Sequence, residues 1–190
     1  MNQNLLYIQE IDQVDSHLLD KFFLECKRLG YNNNISLDTI RLSFVKEKLG
    51  NIWCILKNNN IVGMAGCHLL TSKSFRILFR GCELPGQDIK QGLSRAHFNS
   101  MCFRELIPIQ LNWIENCGYN KNDVYLSVNL NNKNHRAMEI LESQGFLTKE
   151  HDYKSNLILF DTPQTLWKFN TLKYETERLK IKTYSINLIK

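Results

Sequence analysis

The spacing of apolar and polar positions sorts this chain into short strands and one-sided helices. "LLYIQEI" (5–11) reads as a strand. Ser16 is placed to cap a helix that ends at Gly30, with Leu18, Phe22, Cys26 and Leu29 along one face. Ser36 and Asp38 open a second helix with a Leu37, Ile40, Phe44 stripe, closing at Gly50. "NIWCILK", the polar turn "NNN" and "IVGMAGCHLL" form a hairpin, and "FRILFRGCEL" adds a third strand that ends at Pro85. A long helical region follows, Leu93 to Cys117, in which Pro108 predicts a kink or a division into two helices. "DVYLSV" (123–128) is a strand, 134–144 a helix, and 146–170 holds two or three further strands. "RLKIKTYSINLI" offers one more.

The predicted order is therefore β-α-α-β-β-β-α-β-α-β-β. Consecutive hairpin strands require an antiparallel part, and the later strand-helix-strand a parallel crossover. The fold class is α/β with a mixed, α+β-like sheet. The boundaries are one domain over 1–170 and a basic extension over 171–190, where an added strand is an option.

Composition narrows the function little. Hydrophobic residues are 43% and charged residues 23% of the 190, enough for a packed core and unlike a disordered chain. A net charge of +5 suits an anionic small ligand, and the lysines and arginines are too dispersed to make a nucleic-acid footprint. The start of the sequence has no basic segment followed by an apolar run, so no signal peptide is expected, and "IVGMAGCHLL" is about half a membrane span. The expectation is a soluble cytoplasmic protein. Six scattered cysteines without a C-x-x-C pair predict free thiols and no zinc site.

The most informative stretch is Asn134-His-Arg-Ala137-Met-Glu-Ile140-Leu141-Glu-Ser-Gln-Gly145-Phe146. Asn134 suits a helix N-cap, Ala137 allows close approach, and Ile140 and Leu141 are expected to face the sheet. Gly145 is expected in the left-handed region that ends the helix, with Phe146 folding back on it. Any strand-helix-strand unit can use these devices. In register, however, the stretch resembles the second motif of the GNAT (Gcn5-related N-acetyltransferase) superfamily, N-x-x-A-x-x-hydrophobic-Y-x-x-x-G-F. "LPGQDIKQGLSRA" (84–96) is similar to the same family's glycine-containing loop, with Gly92, Leu93, Ser94, Arg95 and Ala96 aligned. The likeness spans about residues 5–170 and is strongest over 123–146.

The resemblance implies acetyl-CoA as cosubstrate and an amine of a small molecule or protein as acceptor. It implies that Gln87, Lys90, Gln91, Gly92, Leu93, Ser94 and Arg95 cradle the pyrophosphate, since a helix start offers free N–H groups. Cys82, Glu83 and Leu84 would pair with the pantetheine arm, and Asn129, Asn134, Ala137 and Leu141 would complete the cofactor surface. Glu83 is the first candidate base and His97 the second; each also reads as an ordinary surface group. Ser94 stands where the family usually has glycine or alanine, the loop is one residue longer from Pro85 to Gly92, and the family's Arg/Gln position falls on Ile89; two more departures matter. The helical stretch 92–118 is longer than in the family, with "SMCFRELIP" as added material. Leu141 stands where the family has a tyrosine thought to protonate the departing thiolate; water, another group such as Tyr153 or Cys82, or no acid at all would serve instead. A non-catalytic GNAT-like module binding acyl-CoA or a partner is the competing reading, and a basic nucleic-acid-associated domain a third. As for assembly, a monomer or homodimer is expected, with no nucleic acid and no membrane as partners.

Overall fold

Strand β1 (Leu6–Glu10) lies antiparallel to β2 (Gly50–Lys57), with Ile8 opposite Ile55. A computed structural model describes residues 6–28, 50–70, 75–80, 102–129, 135–153, 164–178 and 188–189. It divides into two compact units: residues 1–68, 79–106 and 183–190 contribute to the first, and 69–78 and 107–182 to the second.

In the first unit β2 continues into β3 (Asn60–Leu69) through Asn58 and Asn59, at φ 50° and 56°. Two consecutive positive φ values define a two-residue turn whose twist matches the strands, and asparagine tolerates that region better than most residues. The polar "NNN" thus behaves as the sequence predicts. Glycine is more at ease at the second position, so Asn59→Gly should add roughly 0.5 kcal/mol of stability, read from the urea midpoint. A fall in midpoint would contradict the turn assignment.

Small residues oppose large ones across this hairpin: Gly63 faces Ile55, Ala65 faces Trp53 and Gly66 faces Ile52. Both strands are buried along nearly their whole length, which explains their unbroken apolar sequences. A two-residue strand β8 (Leu188–Ile189) runs parallel to β1, so the unit's order is β3-β2-β1-β8.

A single 3-10 turn (Ile11–Gln13) leads from β1 to helix α1 (Ser16–Arg28). Its cap is Asp15, not Ser16: the Asp15 carboxylate accepts the His17 N–H at 2.7 Å, and Ser16 is already helical. Leu19 and Phe22 are the buried residues of its apolar face, with Leu18 half-buried. The second predicted helix lies outside the described residues, except that Gly50 opens β2.

In the second unit the order is β6-β7-β5-β4. β4 (Phe75–Arg80) pairs in parallel with β5 (Val124–Asn129), and β5 pairs antiparallel with β7 (Gln164–Phe169). β7 also pairs antiparallel with β6 (Leu147–Tyr153). The expected parallel crossover is present between β4 and β5. β5 and β6 also run parallel, but β7 is inserted between them. Phe75, Val124, Leu126, Leu166, Trp167 and Phe169 are buried in this unit. Phe75 lies edge-on to Trp113 and Tyr119, at ring separations of 5.9 and 4.8 Å.

A π-helical turn, Cys102–Leu106, stands directly before helix α2 (Ile107–Asn116) in the chain. Pro108 is the second residue of α2. Its ring crowds the carbonyl four residues back and it has no N–H to give, a conflict that a widened turn relieves. The helical path is thus widened rather than broken there.

The segment 171–177, expected within a basic extension, is a helix, α4 (Thr171–Glu177). Asn170 caps it, and the Thr171 hydroxyl donates to the Lys121 carbonyl at 2.7 Å. Lys121 Nζ lies 2.9 Å from Glu175 and 3.6 Å from Glu115, and the Glu175 contact raises the Lys121 pKa.

Candidate active site

The motif helix, α3 (His135–Ser143), follows β5 in the second unit. Its end is set by backbone chemistry. Gly145, at φ 78°, donates its N–H to the Glu142 carbonyl at 2.8 Å, and Phe146 donates to the Leu141 carbonyl at 2.9 Å. These two bonds close a Schellman turn, and Phe146 is buried as the first residue past it. The sequence expectation for Gly145 and Phe146 holds. α2 ends the same way: Gly118, at φ 84°, donates to Glu115, and Tyr119 donates to Ile114.

One expectation fails on this helix. Ile140 is 48% exposed and does not face the sheet; Leu141 is half-buried. The nine-residue helix turns Leu141 and Met138 partly inward, and Ile140 falls on the solvent side of that stripe.

Leu141 sits within the Schellman turn and carries no ionisable group. Its helix neighbours are already engaged. Glu142 Oε1 accepts the Lys149 N–H at 3.0 Å, and Ser143 Oγ donates to the Ile140 carbonyl at 2.8 Å.

The β5 strand has an uneven pair of edges. Its ladder to β7 runs through Asn129, opposite Gln164. Its ladder to β4 runs from Val124 to Leu126 and, among the described residues, stops there. Peptide groups of Ser127–Asn129 on the β4 side are thereby left without a strand partner among the described residues. In open α/β sheets, ligands gather at the carboxyl ends of parallel strands, next to the helix starts that follow them.

Of the predicted site residues, Leu141 lies in the turn just described. Asn129 ends β5 and Ala137 belongs to α3. Cys82, Glu83, Leu84, Gln87, Lys90, Gln91, Gly92, Leu93, Ser94, Arg95, His97 and Asn134 lie outside the described residues. Tyr153, the alternative acid, closes β6. His68, on the hairpin, is buried. No group of histidines, cysteines and carboxylates suited to a metal occurs among the described residues. No helix among them is long and apolar enough to cross a membrane.

This architecture, a mixed sheet with a parallel β4–β5 pair followed by a glycine-terminated helix, is the fold of the GNAT acetyltransferases. Three solved structures show the likeness. An acetyltransferase from Streptococcus agalactiae matches with a TM-score of 0.53 at 16% identity, over 88% of this chain and 98% of its own. Spermidine N-acetyltransferase from Vibrio cholerae, in complex with CoA and spermine, matches at 0.52 and 13%, over 90% and 98%. The same enzyme's dodecameric structure in an intermediate state matches at 0.51 and 12%, over 88% and 95%. No family model matches the chain, and no curated protein does.

Sequence reasoning missed α4 and its cap. Asn170 donates from Nδ2 to the Gly145 carbonyl at 3.2 Å, and its backbone N–H donates to the Phe146 carbonyl at 2.9 Å. The available signal was Asn170 itself, an asparagine placed directly before a polar heptapeptide.

Proposed function

We infer that this chain is a divergent acetyl-CoA-dependent N-acetyltransferase acting on a primary amine. The observation that supports it most is the shared fold, over 90% of the chain, with an enzyme solved with CoA and spermine. The short β4–β5 ladder adds to it, because a strand edge whose peptide groups have no strand partner among the described residues suits the amides of a pantetheine arm. By the resemblance, the pyrophosphate would sit at residues 87–95, where a helix start would offer N–H groups and Lys90 or Arg95 would offer positive charge.

The chemistry has three requirements. An amine with a pKa of about 10.4 is almost wholly protonated at neutral pH, so a base must free its lone pair. Glu83, or else His97, takes that role. Backbone donors at 82–84 would stabilise the tetrahedral oxyanion. The bond to sulfur then breaks, and a thiolate of pKa about 8.5 leaves adequately without a proton. Leu141 is compatible with that last step. The acceptor is an amine of a small molecule or protein; a polyamine comes first in a screen because a structural neighbour acts on spermidine. A monomer or homodimer remains our reading of the assembly, and the dodecameric neighbour makes a larger assembly the alternative.

Titration calorimetry with acetyl-CoA tests the cofactor. Saturable binding is expected, with roughly 2.7 kcal/mol of added stability at 100 times the dissociation constant. Ser94→Glu places a negative charge where the pyrophosphate would sit and should abolish it. No heat and no stabilisation at millimolar acetyl-CoA would remove the enzyme reading. Binding without transfer to any amine would favour the non-catalytic acyl-CoA module, for which the missing tyrosine at 141 is the motivating residue.

A further inference from the structure

We propose that one face of the β5-β7-β6 sheet, at the carboxyl end of β5, binds the acceptor and selects a primary amine whose tail carries uncharged hydrogen-bonding groups. This rests on the acetyl-CoA reading above and deepens it. The strand ladders sort the residues into two faces. Val124, Leu126, Thr165, Trp167 and Leu147 share one face, and all are buried. Phe75 stands on that face opposite Val124, and its ring meets Trp113 of α2. That side is core. The other side holds Ser127 and Asn129 on β5, Leu166 and Gln164 on β7, and His151 and Tyr153 on β6. It is the side left for a ligand at the strand ends. Neighbouring strands lie about 5 Å apart, so a short acceptor that starts at β5 crosses to residues of all three.

A β-bulge decides which residues of β6 stand on this face. Lys149 is opposite Trp167 and His151 is opposite Leu166, so Glu150 is an extra residue without a partner on β7. Regular alternation from Lys149 would put Glu150 and Asp152 on the polar face. The bulge puts His151 and Tyr153 there instead and leaves Asp152 on the opposite face, across from Thr165. Two carboxylates, the groups that would hold a polyamine's second cation, are thereby exchanged for an imidazole and a phenol. Lys168, on the polar face opposite Tyr125, adds positive charge nearby. Among the described residues no carboxylate holds a register position on this face, while Ser127, Asn129 and Gln164 supply donors and acceptors without charge. The face therefore suits hydroxyl, ether or amide groups better than a second ammonium, although a neighbour in fold acts on spermidine.

The test offers the full chain three primary amines of matched length with acetyl-CoA: aminoethoxyethanol, hexylamine and cadaverine. Wild type, Tyr153→Phe and His151→Asp are compared by kcat and KM for each amine and by calorimetric affinity for acetyl-CoA. Wild type should favour aminoethoxyethanol over the other two in kcat/KM by about fivefold or more, the worth of one ordinary hydrogen bond. Tyr153→Phe should raise KM for that amine about fivefold with kcat little changed, as expected for lost binding to the acceptor alone. His151→Asp should move the preference towards cadaverine. Acetyl-CoA affinity should be the same in all three proteins. A wild type that prefers cadaverine or acetylates none of the three amines overturns the acceptor assignment. So do variants that keep the wild-type preference, or that lose rate on all three amines alike, which is the mark of a merely structural role. Wild-type protein that takes up no acetyl-CoA overturns the functional reading beneath it, a result seen before any amine is added.

Discussion

Phe75→Ala should cost about 3–5 kcal/mol of folding stability, the usual loss for a buried phenylalanine. Phe75 is 1% exposed at the start of β4, its N–H donates to the Asp123 carbonyl at 3.0 Å, and its register partner is Val124. It is also the ring on which Trp113 and Tyr119 converge, with interplanar angles of 79° and 72°. Edge-to-face pairs add roughly 0.5–1.5 kcal/mol each beyond area burial, so alanine removes more than volume. The loss approaches the entire stability of an ordinary domain, about 5–15 kcal/mol. Phe75→Leu keeps most of the apolar bulk and should cost clearly less. Urea unfolding of the three proteins, followed by tryptophan fluorescence, gives the comparison. A loss below about 1 kcal/mol for alanine would mean that this ring cluster does not hold β4 to α2.

Alkaline pH should destabilise the protein through one buried thiol. Cys54 is fully buried on β2, and burial pushes its pKa up from 9.0 to about 12. Below pH 9 the thiol is protonated whether the chain is folded or unfolded, and it contributes no pH dependence. As pH rises from 9 towards 12, the unfolded chain gives up this proton while the folded one keeps it. Stability is then lost at about 1.4 kcal/mol per pH unit, roughly 4 kcal/mol over the whole window. Tyrosines and lysines titrate over the same range, so the comparison is with Cys54→Ala, which removes the thiol alone. The variant should be somewhat less stable at pH 8 because of lost packing and more stable than wild type above pH about 10. Parallel stability curves for the two proteins from pH 8 to 11 would sink the idea.

Local features were the most legible in the sequence. The Asn58-Asn59 turn and the Gly145-Phe146 helix end each depend on backbone geometry that few residues adopt, so their residues announce them. The buried tryptophans Trp53 and Trp167 also lie where their apolar strands place them. What could not be read depends on distant neighbours. Periodicity identifies β5, β6 and β7 as strands but says nothing of β7 lying between the other two. Thr171–Glu177 has middling helix propensity, and its helix exists because Asn170, Lys121 and Gly145 hold it from outside. Asp15 and Ser16 are equally good cap residues one position apart, and only the hydrogen bond to His17 separates them. At the candidate site the motif gave the α3 turn correctly. The solvent-facing side of Ile140 was lost because a nine-residue helix can rotate by one position without disturbing its spacing pattern.

The parallel pairing of β1 with β8 sets a timetable for the nascent chain. Leu6 and Tyr7 meet Leu188 and Ile189, about 180 residues later, so at roughly 5–20 residues per second this edge of β1 waits about 10–35 seconds on the ribosome for its partner. Its other edge can be covered as soon as the β2–β3 hairpin emerges, since a hairpin forms in microseconds. The exposed interval therefore concerns one short strand edge with Gln9 and Glu10 beside the apolar positions, a composition that discourages neighbouring chains on a polysome from pairing there.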